Sequence, residues 1–159
     1  WQITRNLLVS HSGHMGMQGL CSILNECSHA DHTDKMDGPL YRGAVYFVSM
    51  ATWGKQRVKV VHITPATVLP SLHQAVAGPV HSTVAFEVAL SIRRLIKKFG
   101  GELQIEWEIV LNILRKLKNF LHKDTPLFSV FIEILNDCIS RIQDLLSRSR
   151  CVSHVCESE

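Results

Sequence analysis

Three short groups of histidine and cysteine have spacings that occur in metal sites. They are His11 with His14, His29 with His32, and Cys151 with His154 and Cys156. A structural zinc ion requires four such ligands that converge in a fixed geometry. These groups fall in polar stretches, and neither paired CxxC motifs nor an HExxH helix accompanies them. We therefore interpret them as loop and tail residues, and we expect no metal ion and no cofactor.

The glycine series Gly13, Gly16 and Gly19 is a second motif whose spacing suggests chemistry, because glycine-rich loops bind phosphate. No strand pattern precedes the series and no lysine follows it, so it does not match a P-loop. The sequence also lacks the Gly-x-Ser-x-Gly motif of a nucleophilic serine. We therefore predict that this chain has no catalytic residue and is not itself an enzyme.

A dense basic group, Arg93, Arg94, Lys97 and Lys98, is the third candidate. Such a group contacts phosphate or an acidic protein surface in some proteins and is a solvated helix end in others. We predict that Arg94, Lys97 and Lys98 bind a partner. The alternative function is a stand-alone small helical protein that binds nucleic acid or phosphate through this face. The net charge of +3 gives that alternative little support.

Helices are the elements that must position these residues, because no convincing strand alternation occurs. Leu20, Ile23, Leu24 and Cys27 form one apolar face, and a polar loop follows from Ser28 to Gly38. A second helix is predicted to begin at Gly38-Pro39. It carries no charge from Gly43 to Trp53 and should be buried on all sides. Gly54 is a suitable C-terminal cap.

Prolines and capping residues mark the next two helices. Thr64-Pro65 is predicted to be the N-cap and first-turn proline of the third helix, and Ser82 the N-cap of the fourth helix. Pro70 predicts a kink or two short helices. The fourth helix has a regular apolar stripe: Val84, Val88, Ile92, Leu95, Ile96 and Phe99.

The last two helices are predicted at residues 103–122 and from Asp124-Thr125-Pro126 to Ser147. The fifth has two apolar stripes and should pack between layers. They comprise Leu103, Trp107, Val110, Leu114, Leu117 and Leu121, and then Ile105, Ile109 and Ile113. The sixth has one stripe, formed by Leu127, Val130, Phe131, Ile134, Leu135, Cys138, Ile139, Ile142 and Leu145. Asp137 and Arg141 have the spacing of a favourable ion pair.

The helices pair with a regular period. The second helices of the pairs begin near residues 39, 82 and 127, which are 43 and 45 residues apart. HEAT and armadillo hairpins repeat every 40–47 residues. We therefore predict an all-α fold, an α-solenoid of about three hairpins over residues 1–146. Residues 147–159 are predicted to be a divergent or disordered tail.

Composition favours an intracellular piece of a larger array. Only 19% of the 159 residues are charged, which indicates surfaces covered by other structure. Five cysteines are an odd number without a framework spacing, no signal peptide opens the chain, and the first residue is Trp1. The uncharged stretch from Val60 to Phe86 is interrupted by prolines, so we expect buried helices and not a membrane span.

Three segments carry a resemblance to a known family. They are Arg42–Gly54, Thr64–Leu72, and Leu90–Lys98 followed by Glu102–Gln104. In this order and spacing they resemble the N-terminal helical-repeat region of the tuberin family. The similarity runs from Leu7 to Leu121 and is strongest between Leu40 and Lys118, whereas the tail has no counterpart.

The resemblance implies a scaffold. Tuberin-type solenoids bind hamartin, chiefly its coiled coil, and a TBC-domain protein completes the complex. That complex is cytoplasmic and peripheral at the lysosome surface, stimulates GTP hydrolysis by Rheb, and restrains signalling through the target-of-rapamycin kinase. The family's GTPase-activator domain lies near its C-terminus, and its catalytic asparagine has no matching position here. Contact with Rheb would therefore require that missing domain.

Overall fold

Helices make up the framework of the described chain. The computed structural model describes residues 2–3, 6, 13–27, 37–53, 64–100 and 105–156, and no strand occurs among them. The helices are α1 (Gly13–Cys27), α2 (Asp37–Trp53), α3 (Pro65–Gln74), α4 (Ser82–Phe99), α5 (Trp107–Leu117) and α6 (Pro126–Cys156). A 3-10 turn, Lys118–Phe120, follows α5. The predicted all-α class is confirmed.

The helices stack in two layers. The first contains α1, α3 and α5, and the second contains α2, α4 and α6, each helix packing on the next in its layer. In the second layer the helices begin at Asp37, Ser82 and Pro126, so their starts are 45 and 44 residues apart. These intervals match the hairpin period of helical repeats. The predicted helical-repeat architecture of three hairpins is confirmed.

The core is centred on α4, which packs against α2 on one side and α6 on the other. Ile92, Leu95 and Ile96 of α4 are fully buried together with aliphatic residues of the flanking helices, such as Val45 and Ile134. Burying each such side chain contributes about 1.5–3 kcal/mol. Helix α4 is therefore the element whose two sides define the contacts between repeats.

Helix α2 is buried over most of its surface, although Leu40 is exposed. Its buried serine and threonine hydroxyls are satisfied within the helix: Ser49 Oγ donates to the Val45 carbonyl at 2.8 Å and Thr52 Oγ1 donates to the Ser49 carbonyl at 2.7 Å. Buried hydroxyls without such partners would be costly. Local hydrogen bonding thus lets the uncharged part of α2, from Gly43 to Trp53, carry polar residues inside the stack. The predicted cap, Gly54, lies outside the described residues.

One local prediction for α4 is wrong and one for α3 is narrowed. Helix α3 runs from Pro65 to Gln74 without dividing into two short helices, Pro70 lies inside it on the exposed side, and the alternative of a kink stays a prediction. The N-cap of α4 is His81 rather than Ser82, since the His81 side chain accepts from the Thr83 backbone N–H at 3.3 Å.

The last hairpin also differs from the pattern. Helix α5 begins at Trp107, so Ile105 and Glu106 precede it and the residue predicted to start it, Leu103, lies outside the described residues. Helix α6 continues past Ser147 to Cys156, although its apolar periodicity ends earlier. Ile139 is 53% exposed and not part of the buried stripe. None of the described helices is long and apolar enough to cross a membrane.

The predicted pair of Asp137 and Arg141 is not formed in the described part of α6. Asp137 Oδ2 is buried and has no hydrogen-bond partner there, and the ion pairs of the described residues do not include it. A spacing of four residues brings side chains within reach, but packing on a neighbouring helix decides their direction.

Candidate functional site

The basic group of α4 divides between two neighbouring helices. Arg93 Nε lies 2.9 Å from Glu133 Oε2 of α6, and Lys97 Nζ lies 4.0 Å from the same oxygen. Of the other two, Arg94 pairs with Glu87 of α4 itself, and Lys98 contacts the Thr52 carbonyl of α2. Because residues three and four apart share a helix face, the four cations form two stripes rather than one patch.

Glu87 is the centre of the contact with α2. Its side chain is only 5% exposed. Arg42 Nε lies 3.3 Å from Glu87 Oε2, and Arg94 Nη1 lies 3.5 Å from Glu87 Oε1. A buried carboxylate is tolerated only when it is paired in this way. Two arginines on one carboxylate leave a net charge of +1 on the triad, and this charge lies at the boundary between α2 and α4.

Lys98 joins the same two helices by a different contact. Its Nζ donates to the Thr52 carbonyl at 2.6 Å and lies 5.0 Å from the centroid of the Phe99 ring. Thr52 belongs to the last turn of α2, where carbonyls lack helical partners and the helix dipole favours a cation. The lysine therefore acts as a cap for a neighbouring helix.

These contacts give each predicted partner-binding residue a role inside the protein. Arg94 pairs with Glu87 of its own helix, Lys98 joins α4 to α2, and Lys97 lies near Glu133 while remaining 52% exposed. Binding of a partner by these residues stays a prediction. Their pairing weighs against the alternative of a nucleic-acid or phosphate binder, because paired cations contribute less to counterion release.

Metal-ligand clusters are absent from the described residues, where no three histidine, cysteine, aspartate or glutamate residues come together. His14 is exposed on α1. His11, His29 and His32 lie outside the described residues, so their prediction stays untested. Cys151, His154 and Cys156 lie on the last turns of α6, for which only the backbone is described.

Two cysteines have side chains that the structure describes. Cys21 is half-buried and Cys138 is buried, and both are free thiols. Burial, and secondarily the carboxylate of Asp137, raises the pKa of the Cys138 thiol above its ordinary value of 9.0. A thiol with a raised pKa remains protonated and is a poor nucleophile. Trp107, half-buried against the core, likewise packs as a structural residue.

Two surface cavities lie outside the sequence-predicted sites. A cavity of about 200 Å³ between α1 and α2 is lined by apolar residues that include Leu20, Leu40 and Phe47. A cleft of about 400 Å³ lies where the first turns of α4 and α6 meet residues 120–125. No local motif marks this cleft, because its walls come from segments far apart in the sequence.

Fold and site together define an α-helical repeat protein whose charged residues link one repeat to the next. Comparison with protein-family models matches residues 1–153 to a domain of unknown function, DUF3384. The chain belongs to this family. The match extends into the final turns of α6, so it includes residues beyond Ser147 that the apolar pattern assigned to a tail.

Proposed function

We propose that this chain is a binding scaffold, a segment of a tuberin-like protein that binds hamartin, and that it has no catalytic role of its own. The observation that carries the proposal is the two-layer helical repeat itself, with α4 packed between its neighbours. Helical repeats provide extended surfaces for partner proteins. The choice of hamartin as the partner depends on the resemblance of the segment from Leu40 to Lys118 to the tuberin family.

Exposed residues on both layers are consistent with such a role. Leu111 of α5 and Ile132 and Ile139 of α6 are large apolar side chains that reach solvent. Exposed apolar residues that group together on a surface mark contact sites. In this proposal the complex that contains the scaffold is cytoplasmic, reaches the lysosome surface, includes a TBC-domain subunit, and acts on Rheb through a domain outside this chain.

The test is a pull-down with hamartin coiled-coil fragments, using the complete 159-residue chain. Lys97→Glu, on the predicted partner-binding face, is expected to reduce binding because it reverses an exposed charge. Lys116→Glu is the matched control, an exposed lysine on α5 in the other layer. If the unaltered chain retains no hamartin fragment, the proposal is wrong. If both variants bind equally well, the predicted face is wrong.

A further inference from the structure

The cleft between the first turns of α4 and α6 combines apolar walls with a cationic edge. Its apolar walls are Phe86 and Phe120, both half-buried, and the buried Leu127. Its polar edge includes Arg42, Ser82 and His122. A volume of about 400 Å³ is within the range of ligand pockets. The cleft is therefore large enough for an aromatic or branched side chain together with a neighbouring polar group.

Arg42 is held in place at the edge of this cleft. Its Nε donates to Glu87 Oε2 at 3.3 Å, while its side chain remains 49% exposed. In the described part of the chain, its two terminal nitrogens have no hydrogen-bond partner. A guanidinium that is fixed through Nε and open at both Nη atoms has the geometry for bidentate binding of a carboxylate.

The charge around the cleft favours an acidic occupant. No residue that lines the cleft carries a carboxylate. Glu87 is already shared between Arg42 and Arg94, so the triad retains one unit of positive charge. Lys118 and Lys123 lie on the short segment between α5 and α6, which also carries one acid, Asp124. A basic edge beside an aromatic wall is complementary to an acid beside an apolar side chain.

Two lining side chains supply further hydrogen-bonding groups. Ser82 and His122 are exposed, and the described residues offer their side chains no hydrogen-bond partner. The other hydroxyls of the cleft are already engaged: Thr83 Oγ1 pairs with His81 Nδ1 at 2.8 Å, and Thr125 Oγ1 donates to the His122 carbonyl at 2.8 Å. Ser82 and His122, together with the Nη atoms of Arg42, are thus the lining groups available to hydrogen-bond a ligand.

We propose that this cleft binds an acidic peptide segment in which a carboxylate is adjacent to an aromatic or branched apolar side chain. The carboxylate pairs with the Nη atoms of Arg42, and the apolar side chain packs against Phe86, Phe120 and Leu127. Because the cleft is open to solvent, a chain segment can enter and leave it. The site does not depend on hamartin as the partner, and it lies at the first turn of α4, away from Lys97 and Lys98 at its end.

The first experiment compares matched ligands by amide chemical shifts in NMR of the complete chain. The peptide acetyl-Ala-Phe-Glu-Ala-amide is titrated beside the same peptide with glutamine in place of glutamate. The acidic peptide is expected to shift Thr83, Phe86 and Leu127, and to bind at least about tenfold more tightly than the neutral one, as for a charge-assisted hydrogen-bonded pair. Equal affinities, or no shifts at these residues, would overturn the proposal.

Variants then test the residues. Arg42→Gln is expected to reduce the affinity for the acidic peptide about tenfold or more, whereas Arg115→Gln, an exposed arginine on α5, leaves it unchanged. Because Arg42 also pairs with Glu87, a second variant, Ser82→Trp, fills the cleft and leaves that pair intact. Ser82→Trp is expected to abolish binding without lowering the melting temperature. Undiminished binding by either cleft variant would contradict the proposed site.

A small organic acid distinguishes the two possible sources of the bound carboxylate, which are a peptide segment and a free organic acid. 3-Phenylpropionate has the same aromatic group and acid as the peptide, and 3-phenylpropanamide lacks the charge. Binding by the peptide and by 3-phenylpropionate, but not by the amide, supports the peptide site. Binding by 3-phenylpropionate alone would mean that a free organic acid is the occupant and would overturn the peptide assignment.

Discussion

Glu87 is the residue on which the ion-pair contact between α2 and α4 depends. Arg42 and Arg94 approach its two oxygens from different helices, and the carboxylate itself is nearly inaccessible to water. Replacing Glu87 by glutamine would leave both arginines beside a neutral amide. The loss is moderated because both arginines reach solvent and remain partly hydrated.

Glu87→Gln is therefore expected to lower the free energy of unfolding by about 1.5–3 kcal/mol, the usual range for hydrogen bonds to charged groups. Urea denaturation measures the change. Glu133→Gln is the matched control, because Glu133 also pairs with two cations but its side chain is 48% exposed. Exposed pairs contribute about 1 kcal/mol or less. Equal losses in the two variants would contradict the importance given to burial.

At the scale of an element, α5 illustrates how one helix has a buried and an open side. Val110, Ile113, Leu114 and Leu117 are buried, whereas Leu111 is 48% exposed. Sequence periodicity placed Leu114 in the core but said nothing about which neighbour covers it. The structure shows α3 packing on α5 in the same layer.

Leu114→Ala is expected to lower the free energy of unfolding by about 2–5 kcal/mol, since it removes buried methyl groups and leaves a cavity. Leu111→Ala, the same chemical change three residues earlier, is expected to change it by about 0.5 kcal/mol or less, as at surface sites. Thermal and urea unfolding give both values. A large effect at Leu111 would mean that a further contact covers it in solution.

Pro70 leads to a prediction about α3. Proline inside a helix removes one hydrogen bond, and here the missing donor would reach the Ala66 carbonyl. Pro70→Ala is expected to raise the free energy of unfolding by about 1–2 kcal/mol, because a penalty of about 3 kcal/mol is partly offset by the greater flexibility of the unfolded chain.

Pro65→Ala is the control for this change and is expected to bring no stabilisation. Pro65 is the first residue of α3, where the new N–H would have no helical partner, and its ring is buried. Differential scanning calorimetry compares the two variants. A lower melting temperature for Pro70→Ala would show that the ring contributes more than the lost hydrogen bond.

The sequence predicts features that depend on residues within one helix, such as where the helix begins. It does not predict contacts between helices. Thr64-Pro65 and Thr125-Pro126 mark helix starts because proline and its preceding cap act locally. In contrast, Arg42 and Glu87 are 45 residues apart, and nothing near either one identifies its partner. The cleft is a feature of the same kind, because Arg42, Phe86 and Phe120 come together only when the repeats stack.

At the scale of the whole molecule, α6 has two apolar stripes. One includes Val130, Ile134 and Cys138 and is buried. The other comprises the half-buried Phe128 and Leu135 and the exposed Ile132 and Ile139. Helix α4 also packs on two sides, against α2 and α6. The second stripe of α6 leaves exposed apolar side chains on the last helix of the second layer, and it favours association with another apolar surface.

In the isolated chain, this stripe is expected to cause self-association. Replacing both residues, in the variant Ile132→Arg with Ile139→Arg, should shift the chain toward monomer in sedimentation velocity, because burying two added charges in an apolar contact is unfavourable. The control, Ser129→Arg with Ser140→Arg, adds the same charge at exposed positions of the same helix outside the stripe. Net charge is then equal in the two variants, so a difference in association must come from the stripe. If both variants become monomeric alike, general charge repulsion and not the second stripe governs association.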